Sequence, residues 1–139
     1  MLKVIFFAPR PFSLTFGGSE IQLLETKAAL EALGISVEFA NYFSMDQISK
    51  GSVVHLFGSD YIFAQLSRLL KGKGVPYVVS PIFYPIGLEK LAHKISSFLP
   101  TTAASLRKNV LLGASRILPN SKSEARLLAD VFSVPQKFN

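Results

Sequence analysis

Gly17 and Gly18 stand side by side at the head of a helical pattern, behind the connection Pro9–Phe16 that follows the first apolar run. Adjacent glycines let a backbone approach another group closely, and the helix behind them presents unpaired N–H groups. That combination suits a phosphate or diphosphate; the plainer reading is a tight turn. Strand-to-helix connections usually take about 2–6 residues, so one of this length points to function. The pattern is neither the dinucleotide fingerprint G-x-G-x-x-G nor the P-loop G-x-x-x-x-G-K-[ST].

Other polar residues gather where apolar runs end. Arg10 could pair with a phosphate or be solvated. Glu20, in the first helical turn, complements the helix dipole or accepts from hydroxyl groups of a ligand. Ser80 closes an apolar run and is followed by Pro81-Ile82-Phe83-Tyr84-Pro85, stiffened by two prolines. Phe83 is expected to pack inward and Tyr84 to line a groove. Asn120 and Ser121 end a further run. In open α/β sheets ligands bind beyond the carboxyl ends of the strands, where all these positions fall.

The histidines offer little chemistry. His55 lies inside an apolar run and reads as a core or strand-end residue; His93 falls on the polar face of a helix and reads as solvated. With no acidic partner at ligand spacing, no metal site is expected. Ser80 lacks the context of a nucleophile elbow.

Charge is divided along the chain. Residues 1–60 carry four Lys/Arg and six Asp/Glu, and residues 61–139 carry eleven and three. The second half therefore attracts anions. Lys90 and Lys94, one turn apart, and Arg107-Lys108 on the next helix could face an anionic membrane beside an apolar stripe. The alternative has that stripe facing the core with its charges solvated, and this is the arrangement expected. No recognition helix or aromatic platform accompanies the basic residues, so nucleic acid is not an expected partner.

The elements that position these residues alternate. Strands are predicted at 2–8, 35–42, 52–58, 76–80 and 115–119. Their nearly continuous apolar character marks parallel strands buried on both faces. Helices are predicted at about 18–33, 60–71, 87–99 and 102–112, with a last one starting at Ser121. The first has Ile21, Leu24, Ala28 and Ala32 on one face, Leu23 and Leu30 nearly opposite, and Gly34 as its C-terminal stop. Ser59-Asp60 supplies an N-cap for the second. The 87–99 segment has a stripe of Leu88, Leu91, Ala92, Ile95, Phe98 and Leu99. Ser121-Lys122-Ser123-Glu124 matches a capping box. The expected fold is α/β: a Rossmann-like parallel sheet of about five or more strands flanked by helices.

Bulk properties agree with one such domain. The chain has 139 residues, 49% of them hydrophobic, and no cysteine. No run approaches the ~20 apolar residues of a membrane span, and no targeting signal is evident. A soluble, cytoplasmic domain is expected. The tail Phe132–Asn139 leaves a helix without a closing element, as at a cut within a longer protein.

Three groups of residues recur together in order. They are Gly17-Gly18-Ser19-Glu20 opening the first helix, Val53-Val54-His55-Leu56-Phe57-Gly58 on the third strand, and Ile117-Leu118-Pro119-Asn120-Ser121 with Glu124-Ala125 and Phe132–Phe138 behind. Over essentially its whole length the chain resembles the N-terminal domain of GT-B glycosyltransferases of family 4, the glycosyltransferase group 1 type.

The resemblance implies two Rossmann-like domains facing a cleft, the N-terminal one binding the acceptor and the C-terminal one a nucleotide-sugar. It implies metal-independent sugar transfer (hexosyltransferase type) with retention of configuration, and no bound cofactor besides the donor substrate. Gly17 and Gly18 would approach the donor diphosphate; Arg10, Glu20, Ser80, Tyr84, Asn120 and Ser121 would face the cleft and acceptor. The acceptor would be a carbohydrate or lipid-linked molecule, and the enzyme could sit at the inner face of the membrane. Many relatives carry a histidine after the fourth strand; here that stretch reads Ser80-Pro81-Ile82-Phe83-Tyr84, so no catalytic residue is carried over. The C-terminal donor domain would be absent and these 139 residues alone inactive. The alternative is a stand-alone α/β module for a phosphorylated ligand or an anionic membrane surface. Without G-x-G-x-x-G, a nucleotide-dependent oxidoreductase is disfavoured.

Overall fold

In a computed structural model, residues 2–11, 14, 16–44, 46, 48–49 and 51–135 are described. Phe12, Ser13 and Thr15 of the glycine-bearing connection and residues 136–139 of the tail lie outside that set.

Five parallel strands form one sheet: β1 (Lys3–Phe7), β2 (Ser36–Phe39), β3 (Ser52–Phe57), β4 (Tyr77–Ser80) and β5 (Arg116–Ile117). Their spatial order is β2-β1-β3-β4-β5. The chain therefore winds outward first one way from β1 and then the other, so β1 and β3 flank the topological switch point. The α/β fold with a parallel sheet is as the apolar runs predict. Each strand is shorter than its run, because pairing ends where a partner strand ends.

The helices are α1 (Gly18–Ala32), α2 (Ala64–Gly72), α3 (Glu89–Ser96), α4 (Ala103–Gly113) and α5 (Lys122–Phe132), with a 3-10 turn at Tyr61–Phe63 ahead of α2. Gly34 follows α1 at φ +76°, the left-handed conformation that glycine adopts without strain. α4 starts at Thr102, whose hydroxyl accepts from the Ser105 amide at 3.1 Å. α5 starts at Ser121, whose hydroxyl accepts from the Glu124 amide at 3.1 Å.

The sheet buries both faces. On one side Ile5, Phe7, Val54, Leu56 and Val79 belong to a large core with Leu70, Val110, Leu111, Leu128 and Phe132. On the other, Val4, Phe6, Val37 and Phe57 pack with Leu23. In α1, then, Leu23 is the buried residue while Ile21 and Leu24 are exposed. The inward face is set by Leu23 and Leu30, seven residues apart, rather than by the Ile21 stripe.

α4 lies close over β4. Tyr77 donates its hydroxyl hydrogen to the Val110 carbonyl at 2.7 Å, and a Cβ at Gly113 would collide with that hydroxyl. Glycine is needed there for close approach.

The largest departure concerns α3. It spans eight residues rather than thirteen, and none of them is buried. Leu88, Leu91, Ile95, Phe98 and Leu99, expected to face the core, are all exposed. Its lysines turn the other way: Lys90 and Lys94 meet the two oxygens of Asp130 on α5 at 2.6 and 2.8 Å. The ion pairs and the short segment orient the polar face toward α5, which leaves the apolar stripe outside. Among the described residues, no helix is long and apolar enough to cross a membrane.

Candidate functional site

An open cleft of about 120 Å³ lies at the carboxyl ends of β1 and β3, at the switch point. β1 delivers Ala8, Pro9 and Arg10; α1 delivers Ser19, Glu20 and Leu23. β3 delivers Phe57, Gly58, Ser59 and Asp60, the β4 loop delivers Pro81 and Ile82, and α4 delivers Arg107. A larger cavity of about 300 Å³, lined mainly by apolar residues of α2 and the start of β3 and β4, opens at the opposite end of the strands. The smaller cleft is the better candidate because strand topology forces apart the connections at its position and polar groups of both signs converge there.

The floor of the cleft is rigid. The Gly58 amide donates to the Ser80 carbonyl at 2.7 Å. Both the amide and the hydroxyl of Ser59 donate to the Pro81 carbonyl, at 2.9 and 3.0 Å. Ile82 is held at φ +48°, a conformation that β-branched residues rarely adopt. Such strain persists where surrounding contacts over-determine the backbone, and it clusters at functional sites.

At the mouth, Gly17 is extended (φ −157°) and α1 begins at Gly18. Neither glycine has a left-handed φ, so a tight turn is not what requires them. A Cβ on Gly18 would meet no heavy atom within 4 Å. The Gly17 amide is already engaged: it donates to Glu20 Oε2 at 2.9 Å, as in a capping box, and the Ser19 hydroxyl donates to the same oxygen at 2.8 Å. The Ser19 hydroxyl, above all, holds the Glu20 carboxyl below its ordinary pKa, with backbone amides and Arg10 adding to it. Among the described residues, the amides of Gly18 and Ser19 have no acceptor. The bare bend expected from sequence is thus half occupied by the protein's own carboxylate.

Arg107 stands across the cleft. Its guanidinium lies 4.9 Å from the Phe83 ring centroid. Burial lowers its pKa and the nearby Asp60 carboxylate raises it, with burial the larger influence. Asp60 lines the cleft and makes no side-chain capping bond to the turn that follows, the role assigned to it from sequence. Two guanidiniums, two carboxylates and two hydroxyls thus line one small space, a set that binds hydroxyls from both sides and accommodates an anionic substituent.

Of the residues chosen from sequence, Arg10 and Glu20 line this cleft and Gly17 and Gly18 sit at its mouth. Ser80 does not reach it: it is buried and hydrogen-bonded to His55 Nε2 at 2.9 Å. Tyr84 is exposed and directs its hydroxyl to Glu124 Oε2 at 3.3 Å, on the α5 side. Asn120 accepts from the Gln22 side chain at 2.6 Å, and Ser121 caps α5. Neither lines the cleft. Arg107, grouped by sequence with membrane-facing lysines, belongs to the cleft instead. Lys108 sits 4.6 Å from the Phe98 ring centroid.

Sequence reading missed Asp60 as a lining group, and it missed Glu124 as a brace. Fully buried, Glu124 accepts from the Phe83 amide at 2.7 Å and the Asn120 amide at 2.7 Å, joining the β4 and β5 loops. Its capping-box position was the signal available, but a cap does not reveal a second loop. Phe83 is buried as expected. His93 is not simply solvated, since its ring packs edge-on against Phe83 at 5.3 Å, and burial lowers its pKa.

His55 is a core residue. Its ring stacks on Phe57 at 4.1 Å and meets the Phe6 edge at 5.2 Å. Burial lowers its pKa to about 4, so it is neutral at ordinary pH. Among the described residues, no three His, Asp or Glu side chains gather as a metal ion would require.

A scan against models of known protein families finds no match, and a search of curated proteins finds none.

Proposed function

We propose that this domain is the acceptor-side half of a glycosyltransferase of GT-B architecture, taking a sugar from a nucleotide-sugar to an acceptor with retention of configuration. The observation that carries the reading is the cleft at the β1/β3 switch point, where Arg10, Ser19, Glu20, Ser59, Asp60 and Arg107 converge. Paired carboxylates and hydroxyls accept and donate to sugar hydroxyls; the guanidiniums neutralise a phosphate on the acceptor or the departing diphosphate. The open space beside Gly18, at the N-terminus of α1, leaves room for a diphosphate edge at the mouth.

The test is expression of the complete reading frame that contains these residues, followed by a screen of uridine, guanosine and adenosine diphosphate sugars for transfer and hydrolysis. Turnover of one donor that falls on Asp60→Asn supports the reading. A complete, folded product that binds and turns over none of them refutes it. The second reading, a stand-alone module for a phosphorylated ligand, is favoured by the same cleft and separated by that outcome combined with binding of a sugar phosphate.

A further inference from the structure

We infer that the outward face of α3 and its flanks docks on an anionic lipid surface, which is independent of the chemistry assigned to the cleft. Ile86, Leu88, Leu91, Ile95, Phe98 and Leu99 form this face; Leu88 is 84% exposed and Phe98 68%. Leu88, Leu91 and Ile95 follow one another at helical spacing, and Phe98 and Leu99 extend the line beyond the helix end. Contiguous apolar surface of this kind on a folded domain marks a docking site.

The charge around it selects the occupant. The charges on and against this helix are Lys90, Lys94 and Lys108, with Glu89 and Asp130 opposing them, so cations outnumber anions there. Lys90 and Lys94 share the single Asp130, so that trio keeps a net positive charge beside the apolar stripe. The Lys108 ammonium lies over the Phe98 ring, 4.6 Å from its centroid, which sets a cation directly on the apolar patch. Apolar side chains rimmed by cations suit a helix lying in the headgroup layer, each nearby cation adding attraction to anionic lipid. A second copy related by a two-fold axis would bring two positive rims together, which opposes self-association through this face.

Co-sedimentation with vesicles decides the matter, using phosphatidylcholine vesicles with and without about a third phosphatidylglycerol. The protein should partition onto the anionic vesicles at least roughly tenfold more strongly than onto neutral ones, in a salt-sensitive manner. The double substitution Leu91→Glu with Ile95→Glu should abolish that partition. Both residues are exposed, so circular dichroism and the unfolding midpoint should match the parent. Absence of binding to anionic vesicles overturns the inference, as does equal binding by the folded double variant. Concentration-dependent dimerisation in sedimentation equilibrium, removed by the same pair and unaccompanied by vesicle binding, also overturns it.

Discussion

The Arg107 guanidinium lies 4.9 Å from the centroid of the Phe83 ring, and Phe83 in turn donates its amide to the buried carboxylate of Glu124 at 2.7 Å. Phe83 thereby links α4, the β4 loop and α5, and its ring holds a cation at the edge of the cleft. Replacing Arg107 by Met keeps much of the packing and removes the charge. A guanidinium over a ring contributes about 0.5–2 kcal/mol, so the fold should survive. A hydrogen bond to a charged group is worth about 1.5–3 kcal/mol, so affinity for a sugar phosphate should fall roughly 10- to 100-fold by titration calorimetry. Unchanged affinity would remove Arg107 from the site.

Gly18 separates fold from function at the mouth. A side chain there meets open space and an ordinary backbone conformation. Gly18→Leu should leave the thermal midpoint unchanged or raise it slightly, since a helical glycine costs about 1 kcal/mol relative to a good helix former. Under the proposed transferase reading, the same change in the complete reading frame should raise the KM for the sugar donor. Unaltered donor kinetics would show that nothing approaches this backbone.

Burial of His55 makes stability depend on pH. Its folded pKa of about 4 lies below the ordinary 6.5, so the unfolded chain binds the extra proton first as pH falls. The neutral ring's contribution is complete above pH 6.5 and is lost on acidification toward pH 4. Between pH 7.5 and 5 the loss should be about 2 kcal/mol, measured by urea unfolding. His55→Gln should flatten most of that slope; His93, shifted the same way by burial, accounts for a remainder. A slope unaltered in His55→Gln would contradict the buried neutral histidine.

Gly113 and Tyr77 should be energetically coupled. Gly113→Ala forces a methyl group against the Tyr77 hydroxyl, and overpacking of this kind costs about 1–3 kcal/mol. Tyr77→Phe removes the obstructing oxygen but strips the Val110 carbonyl of its donor. In a double-mutant cycle the pair should lose less stability than the sum of the single changes. Additive losses would argue against the contact.

How far the fold can be read from residues alone differs from element to element. The parallel strands were legible because runs such as Val53–Gly58 are apolar on both faces, which few other arrangements tolerate. The start of α5 was legible because its capping box is local. α3 was not, since periodicity marks a stripe but not the side from which a partner comes. Asp130, which draws Lys90 and Lys94 inward, lies on another helix far along the chain. Arg107 and Asp60 reach one cleft for the same non-local reason. Ser80 sits at a strand end, as its position predicts, yet pleating turns its side chain to His55.

The most direct test follows amide resonances of the 15N-labelled domain during titration with a sugar phosphate and with the diphosphate sugars of uridine, guanosine and adenosine. Shifts are expected with at least one of them, even at weak affinity, concentrated at Arg10, Gly17 to Glu20, Gly58 to Asp60, Ile82 and Arg107. Shifts confined to the opposite end of the strands, around Leu66, Lys73 and Val75, or no shifts at all, would contradict the cleft as the binding site.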